Sequence, residues 1–255
     1  MKARPTLKQL EAEKSQLESR LAEAEKERDA AIEEARRSRL EMDQVCYAAA
    51  HDLQEPLRSI ASYSQLLAKR IGAADPDATE FAAFIVEGSS RMASLIRDML
   101  LFARVMPPRL ESMPMESVLQ GVRMNLQKEI AAAGAVVTSE ALPEINADPI
   151  QVGQLLQHLV GNALKFRSEA PPKVHISAGE GDGEVVVCVR DNGLGIDPRF
   201  HQQVFAVFKR LHGRDVPGNG IGLALCRRIV QGHGGRIWIE SDGKSGSAFH
   251  FSLPR

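Results

Sequence analysis

Residues 6–45 contain almost nothing but Glu, Lys, Arg, Ala, Gln and Leu and hold neither Gly nor Pro, the composition of one long helix. Steps of three and four give Leu10, Lys14, Leu17, Leu21, Ala24, Arg28, Ala31, Ala35, Ser38, Met42, Val45 and Ala49, a heptad seam. A seam of this kind predicts pairing with a second copy as a coiled coil, weakened where Lys14, Arg28 and Ser38 interrupt it. The alternative is a solvated single helix held by Glu–Lys pairs. It is disfavoured because the apolar step survives several heptads.

The rest of the chain is ordinary in bulk. A formal net charge of -1 on 255 residues does not suggest a nucleic-acid partner. No apolar run has the length of a membrane span and the amino terminus is polar, so the chain is expected in the cytoplasm. Cys46, Cys188 and Cys226 are far apart and in no metal-ligand spacing, which fits free thiols in a reducing compartment.

The helical step continues as Leu53, Pro56, Ile60, Tyr63 and Leu67, and after the breaker "GAADPD" a second pattern runs Phe81, Ile85, Gly88, Met92, Leu95, Met99 and Phe102. Two antiparallel helices make a hairpin, and two hairpins paired through the seam make a dimeric four-helix bundle. The "MPP" at Met106 to Pro108 stops the second helix. Beyond it, strands are expected at "AVVTSEA", "KVHISAG", "EVVVCVRD", "RIWIESD" and "SAFHFSLP". Helices are expected at "MESVLQGVRMNLQKEIAAAG", "DPIQVGQLLQHLVGNALKFR" and "GIGLALCRRIVQGHG". This mixture argues for a two-layer α/β sandwich with its helices on one face of the sheet.

Within "AAAHDLQEPLR", His51 lies roughly opposite the seam at about 100° per residue, facing solvent. Asp52 can hold one imidazole nitrogen as N–H so that the other presents its lone pair, and Pro56 removes the hydrogen bond owed to the Asp52 carbonyl. Alone, such a pair is more often simply solvated. Farther on, "DNGLGI" places Asp191 at a strand end, with Gly193 and Gly195 allowing a tight turn near a ligand. Its carboxylate can accept a hydrogen bond from an exocyclic amine such as that of adenine. "PGNGIGLAL" sets Gly218, Gly220 and Gly222 at alternate positions before a helix, whose free N–H groups and dipole favour phosphate. In "LLQHLVGNALKF", His158, Asn162 and Lys165 share a helix face; Asn162 suits Mg2+ and Lys165 a phosphate. "VFAVFKRLHGRDV" reads as a hinged lid in which Phe205 and Phe208 pack down while Lys209, Arg210 and Arg214 face phosphate.

From about Val45 to the end these residues resemble the sensor histidine kinases of two-component signalling. "HDLQEPLR" looks like the phosphoacceptor box, "HLVGNALKF" the N box, "DNGLGI" and "GNGIGLAL" the two glycine boxes, and "VFAVFKRL" the F box; the wording is similar to the phytochrome-like branch. After the coiled-coil signalling helix that the heptad seam gives over 1–45, the resemblance implies a dimerisation and phosphotransfer hairpin over 46–106 and a Bergerat-type (GHKL) ATP-binding domain over 107–255. It also implies ATP and Mg2+ as cofactors, with Asn162 on the metal and Asp191 on adenine. A homodimer would phosphorylate His51 and pass the group to an aspartate of a response-regulator receiver domain. Input would come from an upstream sensor domain or a partner.

Two departures from the family pattern carry expectations. Glu55 stands where phosphatase-active members often carry Thr or Asn, so phosphatase activity is expected to be weak. His158 replaces the usual first Asn of the N box, where related ATPases place a glutamate base nearby, so net ATP hydrolysis is expected to be slow. The competing readings are a nucleotide-binding dimeric scaffold without phosphotransfer and an ATPase of the chaperone or DNA-repair type.

Overall fold

The computed structural model describes the backbone of residues 7–71, 75–103, 105–181, 183–211 and 218–255. Many side chains before residue 52, that of His51 among them, lie outside the described residues, as does Arg214. The chain divides into two compact units, Met1–Ala49 and Ala50–Arg255. Helix α1, Leu7–Ile71, supplies the first unit and continues unbroken through Pro56. On its expected seam Leu21 is 61% exposed, whereas the side chains of Leu10, Leu17, Met42 and Val45 fall outside the described residues.

In the second unit the end of α1 lies against α2, Pro76–Ala103. Pro76 takes the first helical position, and the Asp75 carboxylate accepts the Ala78 N–H at 3.0 Å, so one orphan amide is capped. The face turned inward is made of modest side chains: Ala50, Leu57 and Ser64 of α1 are buried, as are Ala82, Ser89 and Ile96 of α2. Each set recurs every seventh residue, the spacing of one helix stripe. The larger residues of the expected seam face outward: Leu53, Ile60 and Leu67 are 53%, 45% and 51% exposed, and Phe81, Ile85 and Met92 are 63%, 46% and 46% exposed. Helix α2 stops at Ala103, ahead of the "MPP" that was expected to end it.

The remainder is an α/β domain. Strand β1, Glu111–Pro114, leads into α3, Met115–Asn125, and α4, Gln127–Ala133. The single helix expected over this stretch is thus two, broken at Leu126. Strands β2, Val136–Ser139, and β3, Glu144–Ala147, follow, then α5, Pro149–Lys165, then β4, Lys173–Gly181, and β5, Glu184–Asp191. Helix α6, Gly222–Gly232, and strands β6, Ile237–Glu240, and β7, Ala248–Pro254, complete it. The main sheet runs β2-β4-β5-β7-β6, antiparallel except for the parallel β2–β4 pair; β1 and β3 form a separate two-stranded antiparallel ribbon that the sequence reading did not anticipate.

Alternation decides which sheet face is covered. Val185, Val187 and Val189 of β5 and Phe249, Phe251 and Leu253 of β7 are buried in one cluster with Leu155, Leu156 and Leu159 of α5 and Leu225 and Ile229 of α6. Asp148 starts α5 by accepting the Ile150 and Gln151 N–H groups at 3.0 and 3.1 Å. The same carboxylate accepts the Arg109 N–H at 3.0 Å, and Gln151 Nε2 donates to the Met106 carbonyl at 3.0 Å. Two points thereby tie the segment after α2 to the start of α5.

Candidate functional site

The face of α5 opposite its leucines carries His158, Asn162 and Lys165 one turn apart, and all three line a cavity of about 210 Å3. Lys209 and Arg210 of the F-box segment line it too, together with Gly218, Asn219, Gly220 and Gly222 of the second glycine loop. A smaller cavity of about 50 Å3 reaches Asp191, Gly195 and Ser247. The two share Asn162, Phe166, Ile196 and Leu223 as walls, so Asp191 and Lys165 serve opposite ends of one recess.

At the Asp191 end the carboxylate is fixed by the backbone. Its Oδ1 accepts the Gly193 N–H at 2.8 Å and the Ser247 N–H at 3.1 Å. Both bonds land on one oxygen, which leaves Oδ2 to serve a ligand. Burial raises the carboxyl above the usual Asp value, partly offset by those two bonds. Gly195 adopts φ 73°, and a Cβ there would lie 2.6 Å from the Lys244 N, so this turn needs glycine to pack on the 243–244 loop as well as to admit a ligand.

At the other end the character is cationic. Lys165 Nζ sits 4.8 Å from the Phe166 ring centroid, in the space a Cβ on Gly218 would take. Desolvation lowers its pKa, the Arg210 charge lowers it further, and Asp98 of α2 pulls it back up. A cation so placed is relieved by an incoming anion. His158 is lowered by burial against a smaller opposing effect of Asp98, and its Nδ1 lies 3.2 Å from where a Gly222 Cβ would stand. Helix α6 begins with no side-chain cap at Ile221, so its first amides have no side-chain partner.

The lid differs in part from expectation. Phe205 packs down, buried, whereas Phe208 is 55% exposed. Its backbone lies in the left-handed region at φ 62°, and the Lys209 carbonyl lies 2.7 Å from where a Cβ on Gly220 would stand. Arg214 belongs to 212–217 and lies outside the described residues.

Two residues that motif reading passed over complete the site. Asn219 Nδ2 donates to Asp98 Oδ2 at 2.7 Å and to Ser94 Oγ at 3.0 Å, joining the second glycine loop to α2. Beside this clasp the Arg228 guanidinium lies 4.8 Å from the Phe102 ring centroid. Asn219 stood inside a quoted motif, but nothing in the sequence paired it with a carboxylate 121 positions away. Of the phosphoacceptor box, Asp52 is exposed, and the neighbouring Ala50 packs with Leu57, Ile96 and Leu100.

The model of the histidine kinase-, DNA gyrase B- and HSP90-like ATPases matches residues 147–255, and that of the His kinase A phosphoacceptor domain matches residues 41–107. Cyanobacterial phytochrome A of a Nostoc species is 44% identical over 222 residues, 86% of this chain and 29% of that protein. Phytochrome-like protein Cph1 of a Synechocystis species is 40% identical over 222 residues, 86% of this chain and 30% of that protein. The chain therefore spans less than a third of the length of these relatives. Full-length ShkA, solved in complex with AMPPNP, superposes with a TM-score of 0.63 at 26% identity, over 83% of this chain and 45% of that one. Histidine kinase ThkA, solved in complex with response regulator protein TrrA, shares the fold with a TM-score of 0.59 at 22% identity, over 83% of this chain and 61% of that one. A phosphoacceptor helical region followed by a GHKL-type ATP-binding domain, matched in that order along one chain, places the protein in the histidine kinase family.

Proposed function

We propose that the chain is the catalytic core of an ATP-dependent protein-histidine kinase that phosphorylates His51 and passes the phosphoryl group to an aspartate of a response-regulator receiver domain. The observation that carries this reading is the recess running from the Asp191 carboxylate to the Lys165 ammonium, set against the helix that packs on the His51-bearing segment.

Asp191 Oδ2 accepts the adenine amine, held in place by the two backbone bonds on Oδ1. Lys165, Lys209, Arg214 and the Gly218–Gly222 loop take the phosphates of the substrate ATP, with the uncapped start of α6 behind them. Among the described residues no group of three His, Cys, Asp or Glu could hold a metal by itself. Asn162 would offer a neutral side-chain oxygen to Mg2+, and the ion would supply charge neutralisation there. His51 attacks in line: an N–P bond forms at one ring nitrogen as the bond from Pγ to the bridging oxygen breaks and ADP leaves. Asp52 keeps the other ring nitrogen as N–H and stabilises the charge that develops on the ring.

The same proposal assigns 1–45 to a signalling coiled coil, 46–106 to the phosphotransfer hairpin and 107–255 to the catalytic domain. The outward row of Leu53, Ile60, Leu67, Phe81, Ile85 and Met92 supports a homodimer, in which these faces form the centre of a four-helix bundle. Input reaches α1 from an upstream sensor domain or a partner, and no described helix is long and apolar enough to cross a membrane.

Incubation with γ-labelled ATP and Mg2+ tests the reading. Acid-labile, alkali-stable label should appear on the wild type and be absent from His51→Gln and Asn162→Asp. Label persisting in His51→Gln would overturn the acceptor assignment, and nucleotide binding without label in the wild type would leave the scaffold reading in its place.

A further inference from the structure

The "MPP" at Met106 to Pro108 lies beyond Ala103, where α2 already ends, so stopping that helix does not account for it. Both prolines lock their own φ at about −65°, and Met106, placed before a proline, is confined to extended backbone. The chain from Met106 to Arg109 is therefore a short stiff rod, and both of its ends are fastened to the ATP-binding domain. The Met106 carbonyl accepts from Gln151 Nε2 at 3.0 Å, and the Arg109 N–H donates to Asp148 Oδ2 at 3.0 Å. Between them Pro108 is half-buried against α6, its Cδ 3.8 Å from where a Cβ on Gly232 would stand. Just ahead of the rod, Val105 packs half-buried on the core of the same domain.

The fastenings are themselves braced. The Asp148 N–H donates to His233 Nε2 at 3.0 Å, which leaves the ring proton on Nδ1 to be donated to the Ile229 carbonyl at 2.9 Å. The start of α5 is thus locked to the end of α6 beneath the rod. Gln151 is buried and directs its amide hydrogens at the Met106 carbonyl and, at 3.5 Å, at Asp148 Oδ2. Its Oε1 is buried as well and has no donor among the described residues. A buried acceptor left unpaired is a cost to the fold, so for stability alone an apolar side chain of similar size would serve as well. What the amide adds is its grip on Met106.

We propose that Gln151 is a positioning residue for phosphoryl transfer: by pinning Met106 it makes residues 106–109 part of the ATP-binding domain and confines the turn between that domain and the hairpin to the chain ahead of Met106. The inference rests on the kinase reading given above. The reach of the domain toward His51 is then set by a short tether of fixed length. Freeing Met106 lengthens that tether, and the effective concentration of bound ATP at the histidine falls. Gln151 lines neither cavity of the nucleotide recess, so the effect falls on transfer and not on ATP affinity.

The test uses the full chain with γ-labelled ATP and Mg2+, and calorimetry for ATP affinity. In Gln151→Leu the rate of labelling at saturating ATP should fall about fivefold, while Kd for ATP is unchanged and the melting temperature is not lowered. The double change Pro107→Gly, Pro108→Gly softens the rod with Gln151 intact, and it should slow labelling to a similar extent. Hydrogen exchange should rise over residues 105–110 in both variants and stay unchanged in β5. A wild type that takes no label would overturn the kinase reading and this inference with it. With a labelled wild type, the inference alone is overturned by an undiminished rate in either variant, by weakened ATP binding, or by a melting temperature that falls along with the rate.

Discussion

Asp191 shows how one carboxylate can be structural and functional at once. Oδ1 is spent on the Gly193 and Ser247 amides, and Oδ2 is the proposed adenine acceptor. Asp191→Asn keeps an oxygen for the two amides but turns an NH2 toward the adenine amine, donor against donor. Nucleotide affinity should fall by about ten- to a hundredfold, measured by calorimetry, with the melting temperature nearly unchanged. His158 offers a test with a definite sign. Burial pushes its pKa below the ordinary 6.5, so its share of stability is complete above 6.5 and is lost as pH falls through the folded-state value. An NMR titration of the ring should place the midpoint under 6.5, and Asp98→Asn should move it lower still, because the Asp98 charge opposes the burial effect. Asp191, Asn162 and Lys165 were legible because each belongs to a short run whose neighbours enforce its position. Asp98 was not, since a lone acid on an amphipathic helix carries no mark of what it meets in space.

Regular elements were legible where period and punctuation agreed. "EVVVCVRD" became β5 residue for residue because alternating valines lie between a glycine turn and "NG". The β1–β3 ribbon escaped notice: four-residue strands separated by α3, α4 and β2 have too few alternations to register. The break at Leu126 lacks Gly or Pro, so tertiary packing rather than local propensity ends α3. In the hairpin, apolar periodicity found the outward stripe, and the inward one went unread because Ala and Ser carry little hydrophobic signal. The two stripes predict different consequences. Ile60→Glu, on the exposed row, should weaken self-association by about 2 kcal/mol or more and shift sedimentation toward monomer, leaving the ATP-binding domain folded. A chain that sediments identically before and after that change would exclude this face as the dimer contact.

At the scale of the whole chain, the described hairpin and ATP-binding domain meet through Asn219, Asp98 and Ser94, with Arg228 on Phe102 alongside. An amide NH2 has two hydrogens, and both are directed at α2. Asn219 cannot also donate to a phosphate while they stay there. Asp98→Ala should therefore strengthen ATP binding severalfold in the full chain and raise hydrogen exchange in the second glycine loop; unchanged affinity would show that the clasp does not oppose the nucleotide. Because Asp98 is carried on the same polypeptide, a clasp that opposes the nucleotide in this way would be a tethered competitor, its local concentration set by the fold and not by how much protein is present. Dilution cannot weaken it and higher expression cannot strengthen it. On the proposed function, the ATP level at which the chain becomes loaded would then be set by the spacing of α2 from one glycine loop, and a change in that spacing would reset the threshold without altering any residue proposed to touch ATP.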